Sequence, residues 1–347
     1  MSNDESSTRR HQRHIGAPRG GAMKRVRGPH RSSCHAEGMD PTAPIVRPTI
    51  AEAYRRIGGH VRRTPIMHLD AGTTLKLELT QHTGSFKARG ATNRLLSEHP
   101  PKAGVVTASG GNHGAAVAWA ARSLGIAATV FVPTTTPTAK RERIAGYGAT
   151  VVVGGEVYDD AQRACDEQAK KTGAMIVHPF DHPAVVAGAA TVALEFEDQA
   201  PDLDTVLVAV GGGGLAGGTA AWYLSRPMVR VVCVEPEGMA SLHSALAVGE
   251  PIDVEVHGLA ADSLGARRIG RLGFELCRAK GVQSLLIDEA AIVAAQRRLW
   301  NDLRIVAEPG GAAALAALWG GAYVPEDGER VGVIVCGANC DPGTVVG

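Results

Sequence analysis

Aromatic residues are scarce in this 347-residue chain, at 4%, while glycine is plentiful at 43 residues. That mix suits an α/β enzyme with many tight strand-to-helix turns and argues against a β-sandwich. Long apolar runs are also missing. None approaches the roughly 18 residues needed to cross a bilayer, so no membrane partner is expected. The six cysteines (Cys34, Cys165, Cys233, Cys277, Cys336, Cys340) contain no C-x-x-C pair and no short secreted framework. A zinc site is therefore not expected, and the setting reads as reducing and cytoplasmic. No Walker lysine follows the glycine run described below, which excludes a P-loop NTPase.

Net charge of one sign is lacking as well, at +1 overall, but its distribution is uneven. Residues 1–38 hold eight Lys/Arg against Asp4, Glu5 and Glu37, leaving the remainder net acidic. This basic segment has almost no apolar periodicity and cannot bury a face, so a disordered tail is expected. It has no apolar core of a secretory signal, and Met23 and Met39 offer later starts. It is set aside from the fold, and no nucleic-acid partner is expected.

From Pro48 onward the pattern is regular. Thr49 predicts a helix N-cap with a helix to about Gly58, and TLKLEL (74–79) reads as a strand. Strand and helix then alternate. Strands are expected at 104–109, 128–133, 150–154, 174–179, 205–210, 230–236 and 330–337. Helices are expected at 112–124, 137–146, 157–172, 183–199, 214–225, 239–247, 267–280, 288–303 and 310–319. Several strands are almost wholly apolar, as when helices cover both sheet faces. Such alternation predicts parallel sheets in a doubly wound arrangement, with too many strands for one lobe.

VLVAV-GGGG-LAGG (206–218) is a strand, a glycine loop and a helix start. Adjacent glycines let backbone N–H groups approach an anion, and the helix N-terminus adds its positive end. A ligand-free tight turn is the plain alternative. Gly212, Gly214 and Gly217 also satisfy G-x-G-x-x-G, with Glu235 at the end of the next strand, which taken alone is a dinucleotide fingerprint. TGSFKARGA (83–91) sets Lys87 at the start of a helix. A desolvated lysine there is a nucleophile, since only the free amine forms a Schiff base, although most lysines are solvated. ASGGNHG (108–114) is a second glycine-bearing loop. Its Ser109 hydroxyl, Asn112 amide and backbone donors suit a carboxylate at a helix N-terminus. Asn112 as a simple N-cap and His113 as a partner of neighbouring carbonyls are the plain readings. VIVCGAN (333–339) ends in Cys336, which by itself reads as inert packing, like Cys340.

In this order, GSFKARGA, SGGNHG, GGGGL and CGAN resemble the threonine/serine dehydratase branch of the fold-type II pyridoxal-phosphate enzymes, from about Thr64 through Pro342. The resemblance implies pyridoxal 5'-phosphate carried on Lys87, with Phe86 against its ring and Asn112 on its 3-hydroxyl. It implies the phosphate on Gly211, Gly212, Gly213, Gly214 and Leu215, and Cys336 at the pyridine nitrogen. The carboxylate of a small amino-acid substrate would lie on the loop at Ser109, Gly111, Asn112 and His113. It implies a large lobe (39–103 and 182–347), a small lobe (104–181) and a homo-oligomer, dimer or tetramer. The activity implied is β-elimination of L-threonine or L-serine to 2-oxobutanoate or pyruvate and ammonia.

Departures sharpen this. Relatives that make threonine or assimilate sulfur tend to carry K-D-R, where this chain has Lys87-Ala88-Arg89. Similar serine racemases carry a second serine just before the G-N pair, where this chain has Gly110. Some relatives hold a cation on a glutamate matching Glu235 and an aspartate six residues on, where this chain has Ser241, so no metal ligand is assigned. The chain stops soon after its last strand, with no room for the regulatory domain of biosynthetic threonine dehydratases. Serine racemase, another β-replacement enzyme of the fold, a nicotinamide-dependent oxidoreductase and a non-catalytic cofactor carrier are the alternatives.

Overall fold

The computed structural model describes residues 44–346, so the expectation for residues 1–38 lies outside the described part. Ten strands among these residues form two sheets. They are β1 Ile66–His68, β2 Thr73–Lys76, β3 Val105–Ala108, β4 Ala128–Val132, β5 Thr150–Val153, β6 Met175–Ile176, β7 Thr205–Ala209, β8 Arg230–Pro236, β9 Gln283–Ile287 and β10 Val331–Ile334. One sheet runs β1-β2-β10-β7-β8-β9 and the other β5-β4-β3-β6. All pairings are parallel except β1 with β2. The four-stranded sheet draws every strand from between residues 105 and 176.

The apolar strands sit where the sequence puts them because both faces are covered. Every residue of β3, β7 and β10 is buried, whereas β5, at a sheet edge, is mostly exposed. Two apolar clusters lie on opposite sides of the larger sheet. One includes Val206, Val208 and Phe196, the other Leu207, Val333 and Leu315. Alternation along β7 explains this division, since successive side chains point to opposite faces.

Some boundaries differ from expectation. The first helix begins at Arg47 with Pro48 in its first turn, and Thr49 lies one turn in, its Oγ1 accepting the Val46 N–H at 3.0 Å. The strand expected at 74–79 stops at Lys76, and Glu78–Thr80 forms a 3-10 turn that carries Glu78 inward to Arg89. Of 174–179 only Met175–Ile176 pairs. β1 and β9, at the two ends of the larger sheet, were not anticipated.

The helix Lys87–Glu98 is clamped against the helix Pro183–Gln199. A Cβ on Gly90 would lie 2.8 Å from the Val185 carbonyl oxygen, and one on Gly188 2.7 Å from that of Arg89. Only glycine at both positions lets the backbones approach this closely. The start of the Lys87 helix is thereby fixed relative to the rest of the core.

Candidate active site

Lys87 is the first residue of its helix, and the segment before it is tied to the end of β10. The Phe86 N–H donates to the Cys336 carbonyl at 3.1 Å, the Ala338 N–H to the Gly84 carbonyl at 2.9 Å, and Ser85 bridges Gly337. Residues 83–87 and 336–339 are therefore one unit, though some 250 positions apart. The Lys87 amine donates to the Pro179 carbonyl at 2.9 Å and sits 5.1 Å from the centroid of the Phe86 ring. Burial lowers its pKa to about 8, against the attraction of Cys336 and Glu308. With no carboxylate hydrogen-bonded to it, the amine surrenders its proton readily, as a Schiff-base lysine requires. The Ser85 hydroxyl beside it is buried with no hydrogen-bond partner.

Pro179 also leads to the glycine loop. The next residue, Phe180, lies flat on it: a Cβ on Gly212 would stand 2.1 Å from Phe180 Cδ1. Gly213 has φ +86, a left-handed conformation that favours glycine. The helix Gly214–Tyr223 starts there. Among the described residues, the N–H groups of Gly212, Gly213, Gly214 and Leu215 reach no backbone carbonyl. Four unsatisfied donors at a helix N-terminus make an anion site.

The asparagine loop closes the third side. Gly111 caps the helix Asn112–Ser123. Ser109 Oγ accepts the Gly111 N–H at 3.3 Å, so this hydroxyl is turned back onto its own loop. His113 is buried, with Nε2 2.9 Å from the Val177 carbonyl; burial first, then Lys87, brings its pKa to about 3. It is a neutral ring that donates to a carbonyl and leaves only the loop backbone to face a ligand. Asn112 is the first residue of the helix and not its cap. Its Nδ2 donates to Glu308 Oε1 at 2.7 Å, and its Oδ1 accepts from Asn339 Nδ2 at 2.5 Å. Cys336 is buried, its thiol 3.3 Å from the Gly310 carbonyl; burial, with Glu308 next, pushes its pKa well up, so it stays protonated.

Lys87, the glycine loop, the asparagine loop and Cys336 come from four separated stretches and converge between the two sheets. A small cavity of about 20 Å³ touches Gly110, Gly111, Asn112, Glu308 and Asn339, and is not lined by Lys87, Cys336 or the glycine loop. Lys140 and Arg143 border it, and Lys140 forms an ion pair with Asp262 at its edge. Sequence reasoning missed Glu308, whose pKa burial raises to about 7. The only signal was E-P-G at 308–310, which marks a helix start and says nothing of a site. It also assigned no role to Arg143 or Phe180. Glu235 is a different case: it accepts the Leu242 and His243 N–H groups at 2.7 and 2.8 Å and so caps the helix Ser241–Val248.

The sequence profile of the family described as pyridoxal-phosphate dependent enzyme matches residues 57–337. The chain is similar to the biosynthetic L-threonine dehydratase of Escherichia coli, with 38% identity over 87% of this chain and 60% of the relative. It is also similar to an L-threonine ammonia-lyase of Thermotoga maritima, 37% identical over 84% of this chain and 75% of that one. The solved structure of maize serine racemase superposes with a TM-score of 0.81 at 33% identity, covering 86% of this chain and 95% of that one. The chain thus spans 60% of the length of the Escherichia coli relative.

Proposed function

The chain belongs to the pyridoxal-phosphate dependent enzyme family, and we propose that within it the protein eliminates water from L-threonine or L-serine, giving 2-oxobutanoate or pyruvate and ammonia. The fit of the residues to the cofactor supports this. An amine with lowered pKa at Lys87, an unpartnered hydroxyl at Ser85 and four free N–H groups at Gly212–Leu215 are what an aldehyde bearing a phosphate needs. Lys87 would hold the aldehyde carbon, Gly211 to Leu215 the phosphate, Phe86 and Asn112 the ring, and Cys336 its nitrogen.

When bound, the cofactor supplies an electron sink for the pair left at the α-carbon. The chain supplies the rest. Backbone N–H groups of the Ser109–His113 loop, at the start of the helix Asn112–Ser123, hold the substrate carboxylate. Lys87 Nζ, whose hold on a proton is loosened by burial, accepts the proton from Cα in its free-amine form. The Cβ–O bond breaks and the hydroxyl leaves as water with one proton; hydrolysis of the remaining C–N bond then yields the 2-oxo acid and ammonia. The Cys336 thiol, kept protonated by burial, places no negative charge at the ring nitrogen, which suits elimination better than transamination.

Gly110 carries the choice of elimination over inversion. A Cβ there would lie 2.7 Å from Thr136 Cγ2 and 2.8 Å from its Oγ1, so no side chain fits without displacing Thr136. Inverting the α-carbon requires a second proton carrier, and the Ser109 hydroxyl is bonded back to Gly111. The test is to incubate the protein with L-threonine and L-serine while following ammonia, 2-oxo acid and D-serine. Keto acid with little D-serine is expected; D-serine as fast as pyruvate would overturn this reading. A homo-oligomer in the cytoplasm belongs to the same proposal. No described helix is long and apolar enough to cross a membrane.

A further inference from the structure

Four side chains link the helix Thr138–Gly146 to the core of the site. Arg143 Nη2 donates to the Thr83 carbonyl at 2.6 Å and also to Asn339 Oδ1. Asn339 Nδ2 donates to the Thr83 carbonyl at 2.7 Å and to Asn112 Oδ1 at 2.5 Å. Asn112 Nδ2 donates to Glu308 Oε1 at 2.7 Å. An amide could in principle point either way, but here the chain is anchored at its Asn339 end by two groups with no choice. A guanidinium only donates, so Asn339 must turn its oxygen to Arg143. A carbonyl only accepts, so Asn339 must turn its nitrogen to Thr83. Its second N–H then faces Asn112, which must present Oδ1 to Asn339 and Nδ2 to Glu308. One N–H of Asn112 remains unused.

The backbone supports this arrangement. Thr83 has φ +61, a left-handed conformation uncommon for a β-branched residue. Gly84 follows at φ +73, and a Cβ on it would meet Asn339 Oδ1 at 2.5 Å. The turn at 83–84 thus aims the Thr83 carbonyl and leaves room for Asn339. The charged and titratable groups near Glu308 are Lys140 and Arg143 from the helix Thr138–Gly146, Asp262 from the Ala261–Leu264 turn of helix, Lys87 and Cys336.

We propose that Arg143 and Asn339 are positioning residues that fix which end of the Asn112 amide faces the site, so that Asn112 offers an N–H donor and not a carbonyl to the ring oxygen of the cofactor. The inference rests on the cofactor reading given above. It assigns Arg143 a role through two intervening amides, without contact with substrate.

The experiment is a pH titration of the visible absorption of the holoenzyme, with cofactor affinity measured in parallel, for the wild type, Arg143→Met, Arg143→Lys and Asn339→Asp. An oxygen that loses a donor holds its own proton more tightly, so the absorption midpoint rises. A shift of about one pH unit, with about tenfold weaker cofactor binding, is expected in Arg143→Met and Asn339→Asp. Arg143→Lys, which also only donates, stays close to the wild type. A purely structural role would lower the melting temperature and leave the midpoint in place. Wild-type midpoints and affinities in Arg143→Met and Asn339→Asp would overturn the proposal, as would an equal shift in Arg143→Lys and Arg143→Met. A wild-type protein without visible absorption would instead sink the cofactor reading itself.

Discussion

Lys87, half-buried, and Arg89, fully buried, lie two residues apart on one helix, and their charges fare oppositely. Arg89 meets Glu78 through two hydrogen bonds of 2.7 and 2.8 Å and Glu195 through two of 2.8 and 2.9 Å. Glu195 is shared with Lys76 at 2.9 Å. Burial works against the guanidinium charge, but Glu78 and Glu195 outweigh it and hold the pKa above its ordinary value. Lys87 finds only a carbonyl, and burial wins. Burial alone therefore does not determine whether a cation keeps its proton. The partner does. One helix turn carries a fixed ion-paired arginine and an amine that gives up its proton more readily than an ordinary lysine.

The most severe way to break this comparison is to replace each residue by methionine. Lys87→Met should lose covalent cofactor and on the order of 10⁴-fold or more of elimination activity, while leaving the cofactor-free fold as stable as before or more so. Borohydride reduction and peptide mapping of the wild type should label Lys87. Arg89→Met should do the reverse, costing about 3–5 kcal/mol in denaturant unfolding because Glu78 and Glu195 are left buried without compensation. Equal destabilisation by the two changes would erase the distinction.

A milder test uses pH. Glu308 has a folded pKa of about 7 against an ordinary 4.5, so between those values the folded chain binds more protons than the unfolded one. The stability it contributes is present below about pH 4.5 and is lost as pH rises through about 7. Lys87 is lowered from 10.5 to about 8, so the folded chain binds fewer protons there and stability rises across that interval. In the cofactor-free protein, Glu308→Gln should remove a decline of about 2 kcal/mol between pH 5 and 7 and start the rise due to Lys87 at a lower pH, since the Glu308 charge no longer helps Lys87 keep its proton. A decline that survives in Glu308→Gln would assign it to another group.

The smallest effect is expected at Cys336. Cys336→Ser keeps a neutral donor in the same place and should retain activity within a few-fold, whereas Cys336→Asp places a charge at the ring nitrogen and should slow elimination. Equal rates for all three would remove Cys336 from the ring.

Local patterns were the most legible part of the protein. The apolar strands at 205–209 and 230–236 were read almost to the residue, as was the helix at 183–199 with Pro183 in its first turn. β1 and β9 were not, because short strands at a sheet edge carry little apolar signal: His68 and Gln283 are exposed. In the site, the glycines at 211–214 announced themselves through backbone conformation, a property of a few adjacent residues, whereas Lys87 was singled out by the resemblance of the motif around it. The motifs named which stretches mattered and left His113 and Asn112 with plain alternatives. His113 turned to the Val177 carbonyl, and Asn112 became the centre of a hydrogen-bond chain.

By itself, then, the sequence determined the βα alternation and a glycine loop suited to an anion, because each is written in short-range periodicity or in residues that allow one backbone shape; Lys87 was pointed out by the resemblance of its motif. Tertiary structure decided everything that depends on partners distant along the chain. Asn112 meets Glu308 across 196 positions, Arg143 meets Asn339 across another 196, and Arg89 meets Glu195 across 106. Such pairings leave no local periodicity to read. Whether Lys87 titrates near 8 while Arg89 keeps its charge is settled only when the folded core delivers carboxylates to one and a lone carbonyl to the other.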